Sequence, residues 1–431
     1  MGRRSSLGQD VPPKQAPRYY APDLESSPLP ITPSRWQGDL ERRLDYLFVC
    51  PSLIEPASKR GGGIEEVDYQ VAKHLPGTCS AGILGTFYAS YRRRIPLAAN
   101  LWIEAVAFPA PRNYPPSSKT EVFWATFVAQ PLYCIPLGLR LRSLLKAKPT
   151  YVVVHNGLPG LLAATLGWMS RTRVIYSEGN AYPWIDPFPS AVRLTVPQRG
   201  MRVFKVVAGR IIGKLAWRVR AQSERIKQGL VSNGVRDSRV TVIPVGVDPV
   251  PYLSVAGPTA SNATRVGFVG RLDEAKGAPL LLDVVKLAGK TLRQVRFVIL
   301  GDGIFRPQLQ EQPNVEHVGW VDRGELKEKL SSVSMVLSFQ KEFGLGELEA
   351  MASAKALIAS KSGEVSSIVR HLDNGFLCDP TPEAYVAAIG ELTRKPELIR
   401  RLSLRARETI AESHSWVKIA QQWMSMAQAE P

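Results

Sequence analysis

Between Ser338 and Ser360 the chain reads SFQKEFGLGELEAMASAKALIAS, and this stretch restricts the possible folds more than any other. Met335 to Phe339 and Ala356 to Ala359 are short apolar runs of buried-strand character. Between them Leu345, Leu348, Met351 and Ala352 recur at helical spacing. A strand, a glycine-bearing turn, a helix and a second buried strand make half of a parallel βαβ layer. Such layers bind ligands beyond the carboxyl ends of their strands. Gln340, Lys341, Glu342 and Glu349 crowd that edge, so polar chemistry is expected there.

The same alternation runs through most of the chain. Strand patterns are expected at 45–51, 102–108, 151–154, 173–177, 240–244, 265–269, 295–300, 315–318 and 375–378, with helical stretches between them. A chain of 431 residues is too long for one typical core, which points to two domains. Pro249, Pro251, Gly257 and Pro258 mark a linker over 249–264. That divides the chain into a first domain at 45–248, a second at 265–412 and a closing helical segment at 413–431. Residues 1–44, rich in Pro, Ser and charge, read as a disordered or loosely attached tail. The expected fold class is α/β with two doubly wound halves.

Net charge is +17, which predicts attraction to something anionic: nucleic acid, a phosphorylated ligand or an acidic membrane surface. No aromatic-basic motif supports nucleic acid. Val203 to Arg220, VFKVVAGRIIGKLAWRVR, interleaves basic and apolar residues and suits either an anionic membrane surface or a solvated helix packed between strands. Val122 to Leu139 is uncharged over a span's length, but Gln130, Pro131 and Pro136 interrupt it, and a domain helix is expected. Cys50, Cys79, Cys134 and Cys378 are scattered, with no metal-ligand spacing, as for free thiols in a reducing compartment. The basic N-terminus lacks the apolar run of a secretory signal, so the expected location is cytoplasmic, with the inner membrane face as an option.

Candidate binding residues gather at strand ends. Gly61, Gly62 and Gly63 precede a helix carrying Glu65 and Glu66, a place for backbone N–H groups to meet a polar ligand or simply a flexible loop. His155 and Asn156 follow one strand, and Glu178 and Asn180 follow the next; a structural and a functional role are both open. Ser223 is a candidate helix N-cap. Arg271 and Lys276 lie in GRLDEAKG between a strand and a helix, a suitable cradle for a diphosphate. Gly301-Asp302-Gly303 is not a dinucleotide fingerprint, since Arg306 stands where the third glycine belongs, and no P-loop motif occurs.

Taken in order, GRLDEAKG, LGDG, HVGWV, FGLGELEAMASAKALIAS, NGFLCDP and a C-terminal tryptophan-bearing helix resemble the GT-B glycosyltransferases of the large retaining family four. The resemblance runs from about Tyr46 to the C-terminus and is strongest over 240–380. It implies two facing Rossmann-like domains with a C-terminal helix returning to the first, a nucleotide-sugar donor on the second half and a glycan or lipid-linked acceptor on the first. By motif position it implies that Arg271 and Lys276 contact the donor diphosphate and that Glu349 holds the ribose hydroxyls. Gly344 and Leu345 would offer backbone contacts, Gly303 would line the donor side, and Gly62 and Gly63 would lie near the sugar. Glu342 joins Arg271 and Lys276 as the implied catalytic set, while His155, Asn156, Glu178 and Asn180 face the sugar and acceptor. No metal and no cofactor are implied.

Three positions depart from the family pattern. Lys341 stands eight residues before Glu349, where an acid is usual, with Glu342 seven before it. Ser367 replaces a later glutamate, and Glu178 replaces a frequent histidine. All three touch the sugar end of the donor site, leaving a catalytically weakened nucleotide-binding scaffold as the alternative to an active transferase.

Overall fold

The structure is a computed structural model that describes residues 44–53, 63–87, 94–107, 130–180, 184, 196–255, 257–258, 264–340, 343–361 and 365–430. The tail expected over 1–44 lies outside these except for Leu44.

The first sheet contains β1 (Tyr46–Leu53), β2 (Ala81–Phe87), β3 (Arg94–Ala98), β4 (Leu101–Ala107), β5 (Tyr151–Val154), β6 (Arg173–Glu178), β7 (Arg218–Ala221) and β8 (Val240–Val242). Its order is β3-β4-β2-β1-β5-β6-β7-β8, parallel throughout except for the β3–β4 pair. The second sheet contains β9 (Arg265–Val269), β10 (Arg296–Leu300), β11 (Val315–Gly319), β12 (Met335–Ser338), β13 (Ala356–Ser360) and β14 (Phe376–Cys378). It is wholly parallel in the order β11-β10-β9-β12-β13-β14. The chain reverses direction across each sheet once, between β1 and β5 and between β9 and β12. Those are the switch points at which doubly wound sheets open a ligand crevice.

In the first half the connecting helices are α1 (Gly63–Lys73), α2 (Gln130–Leu145), α3 (Leu158–Met169), α4 (Val196–Leu215) and α5 (Glu224–Ser232). Alternate residues of β1 point to opposite faces. Tyr46, Phe48 and Cys50 enter a core with Val67 and Val71 of α1, whereas Leu47 and Val49 enter one with Leu137 and Leu141 of α2 and Ile212 of α4. Ser223 caps α5 by accepting from Ile226 N–H at 3.2 Å, as its position suggested.

Two strands, β2 and β3, were not anticipated. β2 lies between β1 and β4 in the interior of the first sheet, but its sequence AGILGTF holds two glycines that dilute the β-branched signal. Gly82 is required there, because a Cβ would lie 2.2 Å from the Trp102 ring. The basic segment 203–220 is also not one element: α4 ends at Leu215 and β7 begins at Arg218.

The second half carries α6 (Ala278–Thr291), α7 (Arg306–Gln310), α8 (Arg323–Ser331), α9 (Leu345–Ala352), α10 (Val365–Ile368), α11 (Pro382–Arg394) and α12 (Pro396–Ser413). The last helix, α13 (Trp416–Gln428), returns to pack on α1, with the buried Trp423 ring 6.4 Å from Phe48. Trp217 Nε1 donates to the Ala427 carbonyl at 3.2 Å, tying its end to the first domain. The first residues of the segment expected as a linker pack on the fold: Tyr252 and Val255 are buried, and Arg407 of α12 donates to both of their carbonyls.

The return passes through His414, whose carbonyl accepts from Val247 N–H at 2.8 Å. Burial pushes the imidazole of His414 down to about 4. A base with a depressed folded pKa stabilises the fold fully above its unfolded value of about 6.5, and that stability is lost as pH falls toward 4. His414→Gln is therefore expected to abolish about 2 kcal/mol of the stability lost between neutral pH and pH 5. Denaturant melts of both proteins across that range check it; parallel losses would remove His414 as the source.

Candidate active site

The second sheet's switch point is assembled from two turns. After β9, Asp273 caps a short 3₁₀ turn by accepting from Lys276 N–H at 3.0 Å, and its other oxygen takes Arg271 Nε at 2.7 Å. Gly277 then adopts φ 76°, and a Cβ there would sit 2.4 Å from Phe339 Cβ, so only glycine lets the turn lie against β12. Lys276 is thereby aimed across the crevice. Its Nζ donates to Gln340 Oε1 at 2.6 Å, and Gln340 Nε2 donates to Glu347 Oε1. Glu347 also accepts from Ser338 Oγ at 3.0 Å and from Gly344 N–H at 3.2 Å, closing the N-terminal turn of α9.

Gln340 is an oriented bridge: its oxygen must face the lysine and its amide nitrogen the carboxylate. The chain Lys276–Gln340–Glu347 fixes an ammonium beside the N-terminus of α9. A Cβ on Gly344 would lie 3.5 Å from Lys276 Nζ and 3.1 Å from Glu347 Oε2, so the missing side chain keeps this corner open. Both the helix terminus and the ammonium favour an anion there. Arg271, with its side chain 52% exposed, stands on the same turn. Gly303, at φ 154°, backs onto this turn: a Cβ would lie 2.6 Å from the Leu272 carbonyl oxygen. Glu349 is buried on α9.

The structure thus brings together Arg271, Lys276, Gly303, Gly344, Leu345 and Glu349. Glu342, Lys341 and Gly62 lie outside the described residues, and Gly63 opens α1. Glu347 was missed in the sequence, although its place three residues after Gly344 is the spacing of a capping box.

At the first sheet's switch point, His155 is buried at the end of β5. Its Nε2 meets Asp68 Oδ2 of α1 at 2.7 Å, and its Nδ1 meets the Ser177 carbonyl at 3.1 Å. The Ser177 carbonyl only accepts, so Nδ1 donates to it, and a second proton on Nε2 would be donated to the Asp68 carboxylate. Burial opposes that charge, but Asp68, with Glu65 and Glu178 behind it, outweighs burial and raises the His155 pKa. The sign is opposite to that of His414: this stabilisation is complete in acid and lost as pH rises through the folded value. Cys50 Sγ donates to the same Asp68 oxygen at 2.9 Å, and burial together with that carboxylate holds the thiol well above its usual range. A buried thiol held protonated in this way is a poor nucleophile.

Glu178 is a buried hub. It accepts from Tyr176 Oη at 2.6 Å, Trp184 Nε1 at 2.9 Å, Asn156 Nδ2 at 3.1 Å and Asn180 N–H at 3.0 Å. His155, Asn156, Glu178 and Asn180 therefore do form one cluster, in which Glu178 orders its neighbours. Tyr176, Trp184 and Asp68 were not anticipated. Lys205 of α4 lies within the electrostatic reach of Glu178, though burial is the larger influence and lowers its pKa.

The two clusters meet. A Cβ on Gly179 would lie 3.1 Å from Gln222 Oε1, and Gln222 Nε2 donates to the Phe343 carbonyl, next to Gly344, at 3.1 Å. The carboxyl edges of both sheets therefore face one cleft. Among the described residues there is no group of three or more His, Cys, Asp or Glu side chains able to hold a metal ion.

Two sequence families match the chain: "Glycosyl transferases group 1" over residues 256–409 and "Glycosyltransferase Family 4" over residues 103–250. The alpha-maltose-1-phosphate synthase of Mycolicibacterium smegmatis is 28% identical over 239 residues, 46% of this chain and 61% of that protein. The first three curated relatives are matched over 38% to 61% of their own lengths. Among solved structures, sucrose-phosphate synthase of Thermosynechococcus elongatus superimposes with a TM-score of 0.70 at 18% identity, covering 89% of this chain and 98% of that one. Anabaena HepE, in complex with UDP and glucose, gives 0.63 at 19% identity, covering 90% and 100%. Both have the architecture described above.

Proposed function

Because the chain belongs to the GT-B glycosyltransferases of the family-four type, we propose that it transfers a sugar from a nucleoside-diphosphate sugar to a glycan or lipid-linked acceptor, with retention at the anomeric carbon. The observation that carries this reading is the ammonium of Lys276, held by Gln340 and Glu347 at the N-terminus of α9 with Arg271 on the same turn. A departing nucleoside diphosphate gathers negative charge as the sugar C1 becomes cationic, and two fixed cations and a helix terminus stabilise that charge without reorganising. Glu349 would hold the ribose, with Leu345 and Gly344 presenting backbone N–H groups. Glu342 and the Gly62–Gly63 loop complete the sugar end in this reading. The cluster around Glu178 supports an acceptor side across the cleft, with attack from the face the diphosphate leaves. The net charge of +17 supports work at an anionic membrane face, and no helix among the described residues is long and apolar enough to cross a membrane.

Thermal shift against a panel of nucleoside diphosphates and their sugars tests the donor site, beginning with UDP and UDP-glucose, to which HepE binds in its solved structures. A ligand at a hundredfold excess over its Kd should add about 2.7 kcal/mol of stability. A panel with no shift would sink the reading. Stabilisation without either hydrolysis or transfer would favour the scaffold alternative, in keeping with Lys341 where an acid is usual.

A further inference from the structure

Helices α2, α3 and α4 form one layer against the first sheet, with α3 packed on both others. α2 contains Arg, α4 contains Arg and Lys, α3 contains neither, and none of the three contains Asp or Glu. On the opposite face α1 carries Glu65, Glu66 and Asp68, all three buried. The basic layer also exposes large apolar side chains in register. Leu132, Ile135 and Leu139 form a stripe along α2, with Ile135 63% and Leu139 68% exposed, and Arg142 and Lys146 continue the line. On α4, Val203, Phe204, Val207 and Ile211 form a second stripe, flanked by the exposed Arg210 and Lys214. Between them, Arg142, Leu166, Met169 and Ser170 line an open surface pocket of about 270 Å³, a guanidinium beside apolar walls.

We propose that this layer docks on an anionic phospholipid bilayer, the apolar stripes entering the headgroup boundary while the basic side chains pair with lipid phosphates. This deepens, and rests on, the reading of a membrane-side acceptor. A second copy of the chain is a poor occupant, because a two-fold contact would press the same basic side chains against one another. Nucleic acid would use the charge and leave the apolar stripes in water. The placement also suits the acceptor. α2 and α4 each lead from one parallel strand to another, so both begin at the carboxyl edge of the sheet. On α4, a Cβ at Gly209 would lie 2.3 Å from the Trp184 ring and 3.1 Å from Asn156 Nδ2, so this helix abuts the acceptor cluster directly. Docking would put the mouth of the cleft at the lipid surface.

Flotation of the full chain with vesicles of phosphatidylcholine, with and without phosphatidylglycerol, tests this without any sugar donor. Binding is expected only with phosphatidylglycerol, weakening as salt rises. The pair Arg142→Gln and Lys146→Gln should weaken it by about 30-fold, and the pair Ile135→Ser and Leu139→Ser by about tenfold. Donor-induced thermal shift and transfer to a soluble glycan should be unchanged in both variants. No flotation at low salt, equal binding to pure phosphatidylcholine, or a dimer that the Ile135→Ser and Leu139→Ser pair dissociates would each overturn the proposal. A donor shift without flotation sinks the docking face alone; flotation without a donor shift sinks the transferase reading alone.

Discussion

Lys276→Ala is expected to lower kcat/KM for sugar transfer by about 100- to 1,000-fold, the usual effect of removing one preorganised donor to a developing negative charge. The structure gives this substitution a clean interpretation. Glu347 would keep its bonds from Gln340, Ser338 and Gly344, so the N-terminal turn of α9 stays capped. Asp273 caps its turn through the backbone N–H of residue 276, which alanine retains. The melting temperature should therefore barely move while activity collapses. Gln340→Met, which leaves the ammonium in place but unheld, should cost less, about tenfold, and chiefly in kcat, because loose positioning weakens transition-state contact more than ground-state binding. Steady-state kinetics with the donor found by thermal shift decides it. Wild-type turnover in Lys276→Ala would mean that the leaving diphosphate is stabilised elsewhere.

Glu178→Ala is expected to destabilise the first domain by about 4 kcal/mol, at the high end for a single substitution. The carboxylate is 2% exposed and satisfies four donors, those of Tyr176, Trp184, Asn156 and Asn180. Alanine would strand those donors, most of them away from water. Glu178→Gln retains an oxygen for most of them and should lose only about 1–2 kcal/mol, the effect of one mismatched hydrogen bond. Urea melts of the three proteins give the comparison. Near-wild-type stability in Glu178→Ala would show that the hub is dispensable to the fold, and its role would then have to be sought in substrate contact.

The two residues illustrate what could and could not be read early. Lys276 is legible because the turn that carries it is local: Asp273 is three residues back, Gly277 follows, and α6 begins at once; the Gln340 bridge that holds its ammonium is not. Glu178 was placed at the correct strand end, but its four donors come from Tyr176 of β6, Asn156 after β5, the Asn180 N–H and Trp184, and no spacing rule links them. His155 shows the same limit. Its position was evident, but the charge on its ring depends on Asp68, 87 residues earlier in the chain. The interior strand β2 escaped because its neighbours supply the burial that its own composition does not advertise.

Apolar periodicity in the sequence already specifies two doubly wound α/β halves, polar groups at the carboxyl edges of their strands, and GRLDEAKG as the turn between a strand and a helix. Those features follow from apolar periodicity and from caps and glycines that act within a few residues of themselves. Tertiary structure alone decided that β12 lies beside β9, so that Lys276 meets Gln340 across 64 residues of chain. It also turned Glu178 and Asp68 inward and left the apolar stripes of α2 and α4 facing outward. The physical reason is that strand order and partner identity are set by which faces bury one another, a competition among distant segments that local pattern does not encode.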